Sequence, residues 1–238
     1  MAPSNNFCDL VGYEVENYGH ADFVENIEVG NGEFRRARAM LPFAYLDAKA
    51  SDFKWDVYGQ SIEAQKKIVN AFLLNFAKWR KAGKGLYVYS RTKGSGKTML
   101  ACCLANEVLE KFDMCVKFIS IPEFLELTKD SYKDAAKKAD MDGMRTAELL
   151  IIDDIGTEMK KEWVDSVLFR LIDWRYTNKL VTIFTSNVEM EDLKLDDRIT
   201  DRIYDMCIQV NLPEKSIRRQ KAKRENDSFM EEVLKNAP

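Results

Sequence analysis

The segment Ser90–Thr98, with the sequence SRTKGSGKT, contains the residue types that bind phosphate. A short apolar run precedes it and a longer run of helical character follows it, which predicts a strand, a turn and a helix N-terminus in succession. Backbone N–H groups and the positive end of a helix dipole bind phosphate there. Gly94 and Gly96 let the backbone approach the anion closely. Lys97 is placed to reach the β- and γ-phosphates, and the hydroxyl of Thr98 is placed to ligate Mg²⁺.

The strict pattern G-x-x-x-x-G-K-[ST] is not met, because Arg91 stands where the first glycine would be. Arg91 and Lys93 add positive charge beside the expected triphosphate, which either strengthens binding or changes the loop geometry. The alternative is a Gly-Lys turn that merely precedes a helix, and the strand before the loop argues against it. We therefore predict a working phosphate loop with a modified first turn. The predicted nucleotide contacts in this loop are Lys93, Gly94, Ser95, Gly96, Lys97, Thr98 and Met99.

Polar groups also follow two of the later apolar runs that are predicted to be strands. Leu149–Ile152 ends in Asp153 and Asp154, and the next run ends in Asn187. The carboxyl ends of parallel strands face the ligand crevice. There Asp153 is suited to hold Mg²⁺ through water and Asp154 to orient or deprotonate an attacking water. Asn187 is suited to contact the γ-phosphate or the water, although a turn-forming asparagine is the simpler interpretation of that residue alone.

Two sets of arginines complete the candidate site. Arg198 and Arg202 are spaced to share one helix face. They either form surface ion pairs with Asp197 and Asp201 or reach the γ-phosphate bound by a neighbouring subunit. Arg218 opens a basic run near the end of the chain, and its guanidinium is suited to fold back onto a bound nucleotide.

The elements that must position these residues follow an alternating α/β pattern. Strand-length apolar segments occur at Leu86–Ser90, Val116–Ser120, Leu149–Asp153, Val181–Thr185 and Cys207–Asn211. Helices are predicted from Ser61 to Lys81 and at Thr98–Phe112, Pro122–Lys129 and Lys161–Tyr176. This alternation is typical of a parallel sheet with helices on both faces.

Composition supports a globular domain. The 238 residues include 36 Lys and Arg against 39 Asp and Glu, and 46% of them are hydrophobic. These values exclude an intrinsically disordered or collagen-like chain, and they argue against a protein that coats nucleic acid by bulk charge. Charge is unevenly distributed, because residues 1–34 hold seven acids and no Lys or Arg, whereas residues 215–224 hold six basic residues. Both ends are therefore candidates for contacts with polar partners.

Cysteine usage and the N-terminal sequence bear on location. Cys102 and Cys103 lie side by side in an apolar helical run, which favours buried, reduced thiols. The segment MAPSNNFCDL lacks the features of a secretory signal, and no apolar stretch approaches the roughly 20 residues that span a bilayer. We expect a cytoplasmic protein without a membrane partner.

Taken in order, GLYVYSRTKGSGKTMLA, LLIIDDIGTE, LVTIFTSN, DDRITDRI and EKSIRR resemble the AAA+ ATPases of the DnaC/DnaI helicase-loader and IstB-like group. The resemblance extends over about residues 40–219, most of the chain. It implies ATP or ADP as ligand, Mg²⁺ as cofactor and ATP hydrolysis. It implies that Lys97 binds phosphate, that Thr98 and Asp153 hold the metal, and that Asp154 activates water. It also implies that Asn187 is the first sensor and Arg218 the second. Arg198 is its preferred arginine finger, and Arg202 is the less favoured candidate.

The resemblance also implies an architecture: a three-layer α/β sandwich around a five-stranded parallel sheet of order 5-1-4-3-2. We expect an acidic N-terminal arm and connector over residues 1–52, which is a possible helicase-docking segment, and the ATPase core over 53–213. A basic helix or tail over 214–238 replaces a full helical lid. The short arm resembles phage- or plasmid-borne loaders more than loaders with a zinc module or a long helical domain at the N-terminus.

The function that the resemblance implies is an ATP-dependent loader of a ring-shaped hexameric replicative helicase. Such a protein delivers the helicase to single-stranded DNA, binds that DNA weakly and self-associates through Arg198. An extra helix between the second and third strands contacts DNA in such proteins, and the candidates here are Lys129, Lys133, Lys137 and Lys138. Two alternatives remain open: an IstB-type transposition helper acting on duplex DNA, and a non-catalytic interaction protein on a P-loop scaffold.

Overall fold

A five-stranded parallel sheet organises the computed structural model, which describes residues 34–59, 62–156 and 162–235. The strands are β1 (Gly85–Tyr89), β2 (Val116–Ser120), β3 (Leu149–Ile155), β4 (Val181–Ser186) and β5 (Cys207–Asn211). Their order is β2-β3-β4-β1-β5, and all neighbouring pairs are parallel. This is the predicted order counted from the opposite edge, so the predicted topology is confirmed.

Helices cover both faces of the sheet. They are α1 (Glu63–Leu74), α2 (Phe76–Ala82), α3 (Lys97–Lys111), α4 (Ile121–Asp130), α5 (Ala135–Thr146), α6 (Glu162–Thr177), α7 (Asp197–Met206) and α8 (Ile217–Lys235). Alternate strand residues point to opposite faces. Leu86 and Val88 of β1 therefore join the core with α1 and α3, whereas Tyr87 joins the core with α4, α6 and α7. The predicted three-layer sandwich is confirmed.

The single helix predicted over residues 61–81 is wrong in one respect, because it is interrupted at Asn75. The backbone of Asn75 leaves helical geometry with φ −117°, and its side-chain amide donates to the carbonyl of Ala71 at 3.2 Å. Asparagine side chains compete with the backbone for hydrogen bonds and so interrupt helices. The apolar face continues across the break, since the rings of Phe72 and Phe76 lie 5.3 Å apart.

The connector that precedes α1 packs on the domain. Ala39 is buried, and its carbonyl accepts from the N–H of Phe118 in β2 at 2.8 Å. The side-chain amide of Asn106 in α3 donates to the carbonyls of Tyr45 and Ala48, both at 2.9 Å. These contacts hold the connector against the edge strand β2 and α3.

Parts of the sequence-based predictions lie outside the described residues. These are residues 1–33 of the predicted arm and connector, the predicted helix starts at Ser61 and Lys161, and the last three residues of the predicted tail. The division into arm, core and tail stays a prediction. In the described ranges, every helix is too short or too polar to cross a lipid bilayer. Cys102 and Cys103 are free, buried thiols as predicted, and burial raises the pKa of Cys103 to about 12.

A fully buried arginine fastens the outer layer to the sheet. Arg175 of α6 donates from Nη1 to the carbonyls of Met144 and Ala147, at 3.2 and 2.8 Å. Its Nη2 donates to the carbonyl of Val181 at 2.7 Å, and its Nε to the hydroxyl of Thr182 at 2.9 Å. Burial lowers the pKa of Arg175 to about 9. The guanidinium thereby joins the C-terminal end of α5 to the start of β4.

Candidate nucleotide-binding site

The phosphate loop lies between β1 and α3 and depends on two glycines in the left-handed region. Gly94 has φ +77° and Gly96 has φ +101°, and Gly96 caps the N-terminus of α3. A Cβ on Gly94 would lie 2.9 Å from the Cβ of Arg218, and one on Gly96 would lie 3.2 Å from the ring of Phe53. Backbone conformation and close packing therefore both require glycine here. The loop is enclosed from both sides.

Lys97, the first residue of α3, points its ammonium group into the loop. Its side chain donates to the carbonyls of Ser90 and Thr92 at 3.1 and 3.2 Å and to the hydroxyl of Ser95 at 3.3 Å. Only 5% of Lys97 is exposed, and burial lowers its pKa, an effect that the charge of Asp154 opposes. The loop thus encloses a positive charge where a bound phosphate would meet it.

Asp153 lies at the end of β3 against two hydroxyl groups. Its Oδ1 accepts from the hydroxyl of Thr98 at 2.9 Å and from that of Thr185 at 2.6 Å. Burial raises the pKa of Asp153, and the two hydroxyl hydrogen bonds oppose that rise. The carboxylate and the Thr98 hydroxyl form an oxygen donor set of the kind that Mg²⁺ binds, so these residues fit the expected metal.

Asp154 reaches the same crevice because β3 is irregular at this point. The register of β3 against β4 shifts between Ile152 and Ile155, and Asp154 has φ +60°. Its N–H donates to the hydroxyl of Thr185 at 3.0 Å, and its Oδ1 accepts from the amide of Asn187 at 3.1 Å. Strained backbone of this kind is common at functional sites. The structure therefore brings two consecutive carboxylates and the predicted sensor asparagine together.

The start of α8 and the connector before α1 close the loop. The N–H groups of Ile217 and Arg218 donate to the carbonyl of Gly94 at 2.9 and 3.1 Å. From the other side, the hydroxyl of Tyr58 donates to the carbonyl of Ser95 at 2.7 Å. The sequence reasoning placed Arg218 near the nucleotide but missed Tyr58 and Thr185, because their contacts join residues far apart in the chain.

Two other predicted contact residues differ in their surroundings. Lys93 is exposed at the outer side of the loop, whereas Met99 is partly buried and packs against the core beneath the loop. Lys93 is thus open to a charged ligand, and Met99 holds the first turn of α3 in place.

The side chains of Arg198 and Arg202 lie on the side of α7 that faces α6. Arg198 forms a two-point ion pair with Asp196, with N–O distances of 2.9 and 3.1 Å, and its guanidinium lies 4.8 Å from the ring of Phe169. Arg202 pairs with Asp173 of α6 at 2.7 Å. The partners that we considered from sequence, Asp197 and Asp201, are therefore wrong. Both observed partners lie outside α7, since Asp196 is the N-cap of this helix and Asp173 belongs to α6.

Comparison with known proteins agrees with this geometry. The model of the family described as IstB-like ATP binding protein matches residues 14–225. The chain belongs to this family. The replicative helicase loader DnaI of Bacillus subtilis is 34% identical over 140 residues, which cover 58% of this chain and 44% of the relative. The replicative helicase loader DnaC of Escherichia coli K12 is 25% identical over 121 residues, which cover 49% of each chain.

The IstB-like chain also shares its fold with a solved loader. The crystal structure of DnaI superposes with a TM-score of 0.63 at 26% identity, over 73% of this chain and 95% of that chain. The resemblance to the AAA+ helicase-loader and IstB-like group is therefore confirmed. The chain spans about half the length of the two curated relatives.

Proposed function

We propose that this IstB-like protein is an ATP-dependent loader that binds a hexameric replicative helicase and delivers it to single-stranded DNA. One observation carries the proposal: hydrogen bonds join the phosphate loop, the two carboxylates and the sensor asparagine at the carboxyl ends of neighbouring strands. This arrangement occurs in a chain similar to DnaI and DnaC. A helicase-loading role also implies a cytoplasmic location.

In the proposed hydrolysis of ATP, separate residues bind the phosphates, hold the metal ion and activate the water. The N–H groups of the loop and Lys97 bind the β- and γ-phosphates, and Arg218 approaches from α8. Thr98 and Asp153 would hold Mg²⁺, which would neutralise charge on the phosphate oxygens when bound. Asp154 orients the attacking water and accepts its proton, while the amide of Asn187 keeps that carboxylate in place. Attack of the water on the γ-phosphorus breaks its bond to the oxygen that bridges the β- and γ-phosphates, which leaves ADP and inorganic phosphate.

Arg198 acts on a neighbouring subunit in this proposal. The side chain of Arg198 is 67% exposed, and its ion-pair partner Asp196 lies only two residues away. The guanidinium is therefore accessible to a second molecule. A phosphate can replace the carboxylate because both accept two parallel hydrogen bonds from a guanidinium. Self-association would then complete the catalytic site.

Weak binding of single-stranded DNA is assigned to the helical pair between β2 and β3. Lys133, Lys137 and Lys138 are exposed on and before α5, and the ammonium of Lys129 in α4 lies 5.3 Å from the ring of Trp163. Basic groups combined with aromatic rings suit single-stranded nucleic acid. The few charges predict weak, strongly salt-dependent binding.

Co-purification with the cognate replicative helicase tests the loader function. We expect the full chain to form a complex with the helicase ring in the presence of ATP and Mg²⁺ and to increase helicase transfer onto single-stranded circles. Lys97→Ala should lose the nucleotide dependence, whereas Arg80→Ala, at an exposed ion pair with Glu148, should behave as the wild type. Absence of a complex under every nucleotide condition would contradict the loader function.

The family match favours a second candidate, a transposition-helper ATPase of the IstB type acting on duplex DNA. The two proposals differ in DNA preference. A loader should bind single strands at least as well as duplex of the same length, whereas a transposition helper should bind and remodel duplex. Fluorescence anisotropy with matched single- and double-stranded oligonucleotides separates them.

A further inference from the structure

Arg91, which replaces the first glycine of the phosphate-loop pattern, fits its position without backbone strain. The residues with positive φ in this loop are Gly94 and Gly96, whereas Arg91 lies outside the left-handed region. Its N–H donates to a carboxylate oxygen of Glu214 at 2.8 Å, which ties its backbone to the segment leading into α8. The backbone from which the Arg91 side chain extends is therefore held in place by this hydrogen bond.

The side chain of Arg91 points to the segment that follows β4. Its Nη2 lies 3.1 Å from a carboxylate oxygen of Asp192 and 3.3 Å from one of Glu189. Both acids belong to the stretch that begins with Asn187, immediately after the strand. One guanidinium thus joins the first turn of the phosphate loop to the segment that carries the sensor asparagine.

The same segment is held on its other side by neutral partners. Glu191 accepts from the hydroxyl of Tyr204 at 3.2 Å and from the amide of Gln209 at 3.1 Å. Arg91 contributes the attachment on the phosphate-loop side. Exposed ion pairs add little to overall stability, so we expect these contacts to act on the position of the segment.

We propose that Arg91 is a positioning residue that holds the segment of residues 187–192 against the phosphate loop, so that Asn187 stays hydrogen-bonded to Asp154. This inference rests on the proposed ATPase function. It assigns a role to the residue by which the loop departs from the strict motif. Restoring glycine at position 91 is then expected to impair the site.

Steady-state ATP hydrolysis by Arg91→Gln and Arg91→Gly tests the proposal. We expect kcat to fall about tenfold, because a small displacement of a positioned group has effects of this order or larger. The KM and the ATP dissociation constant should stay within about threefold of wild type, since the phosphate-binding groups are intact. Arg80→Gln, at the exposed ion pair with Glu148 on another part of the surface, is the matched control and should leave both values unchanged.

Two outcomes would overturn the proposal. One is an increase in KM with unchanged kcat that Glu189→Gln/Asp192→Asn reverses, because it would mean that Arg91 only screens acidic charge. The other is an additive effect of Arg91→Gln in an Asn187→Ala background. The proposal predicts no further loss of kcat there, because residues acting through one another are not additive.

Hydrogen exchange on the nucleotide-free protein provides a readout that is independent of catalysis. Amides of residues 188–192 should exchange faster in Arg91→Gln than in wild type, and those of α2 should not change. Unchanged exchange at 188–192 would overturn the positioning role. Wild-type protein that neither binds nor hydrolyses ATP, together with faster exchange in the variant, would instead reject the proposed ATPase function while leaving the positioning contact intact.

Discussion

The charged groups at the phosphate loop and those on the α6-facing side of α7 differ in burial and in the partners that hold them. At the loop, Lys97 and Asp153 are 5% and 8% exposed; Lys97 donates to polar groups of the loop itself, and Asp153 accepts from the hydroxyls of Thr98 and Thr185. On α7, the side chain of Arg198 is 67% exposed and pairs with Asp196 nearby in sequence. Buried charges are costly unless fixed, whereas an exposed pair contributes little and exchanges partners easily. The charges of the loop are therefore held by contacts within the chain, whereas the side chain of Arg198 is accessible to a second molecule.

The largest effect should come from removing a buried guanidinium. Arg175→Met leaves buried carbonyls of α5 and β4 without a donor, and each such group costs about 1–3 kcal/mol, so we expect the free energy of unfolding to fall by about 3 kcal/mol or more in urea denaturation. Arg198→Met, the exposed counterpart, should change it by less than about 0.5 kcal/mol. Equal losses in the two variants would remove the distinction between the buried and exposed arginines.

A second prediction concerns the buried lysine of the loop. Lys97→Ala should weaken ATP binding about 100-fold, equivalent to about 2.7 kcal/mol, because hydrogen bonds to charged groups are worth about 1.5–3 kcal/mol. Titration calorimetry with Mg²⁺-ATP measures this change. Arg80→Ala serves as the control, and an unchanged dissociation constant in Lys97→Ala would show that the nucleotide binds elsewhere.

A third prediction follows from the pKa of Asp153, which burial raises. Such a carboxylate destabilises the nucleotide-free fold when ionised, and this penalty disappears as the pH falls through the raised pKa towards the ordinary value. Asp153→Asn should therefore raise the unfolding free energy at pH 7 while abolishing Mg²⁺-dependent hydrolysis.

The advantage of Asp153→Asn over wild type should shrink as the pH is lowered from 7 towards the ordinary pKa of aspartate, about 3.9. Denaturant titrations across this pH range measure it. Thr128→Val, at a buried hydroxyl away from the crevice, controls for loss of a hydrogen bond without loss of charge. A difference between Asp153→Asn and wild type that grows as the pH falls would contradict the assigned cause.

Features that rest on contiguous sequence were predictable. The strand, turn and helix around Gly96 and Lys97 follow one another in the chain, and the apolar runs before Asp153 and Asn187 predict the strands that place these residues at one edge. The resemblance supplied the sheet order and the position of Arg218. Local chemistry and family pattern were enough for these parts.

Features that depend on contacts between distant segments were not predictable. Thr185 and Tyr58 reach Asp153 and Ser95 only after the chain folds. The break at Asn75 depends on a side-chain hydrogen bond that competes with the helix, which hydrophobic periodicity does not register. The partner Asp173 of Arg202 lies on α6, so sequence spacing pointed to the wrong aspartates.

Mixing two defective variants tests the central difference between loop and α7 most directly. Lys97→Ala keeps Arg198 but lacks the loop lysine, and Arg198→Ala keeps an intact loop but lacks the guanidinium. If Arg198 acts on the nucleotide of a neighbouring subunit, each variant alone should hydrolyse ATP slowly and the mixture should hydrolyse it faster than the sum of the two. A mixture that only equals that sum, under conditions where wild-type protein self-associates and hydrolyses ATP, would contradict the account.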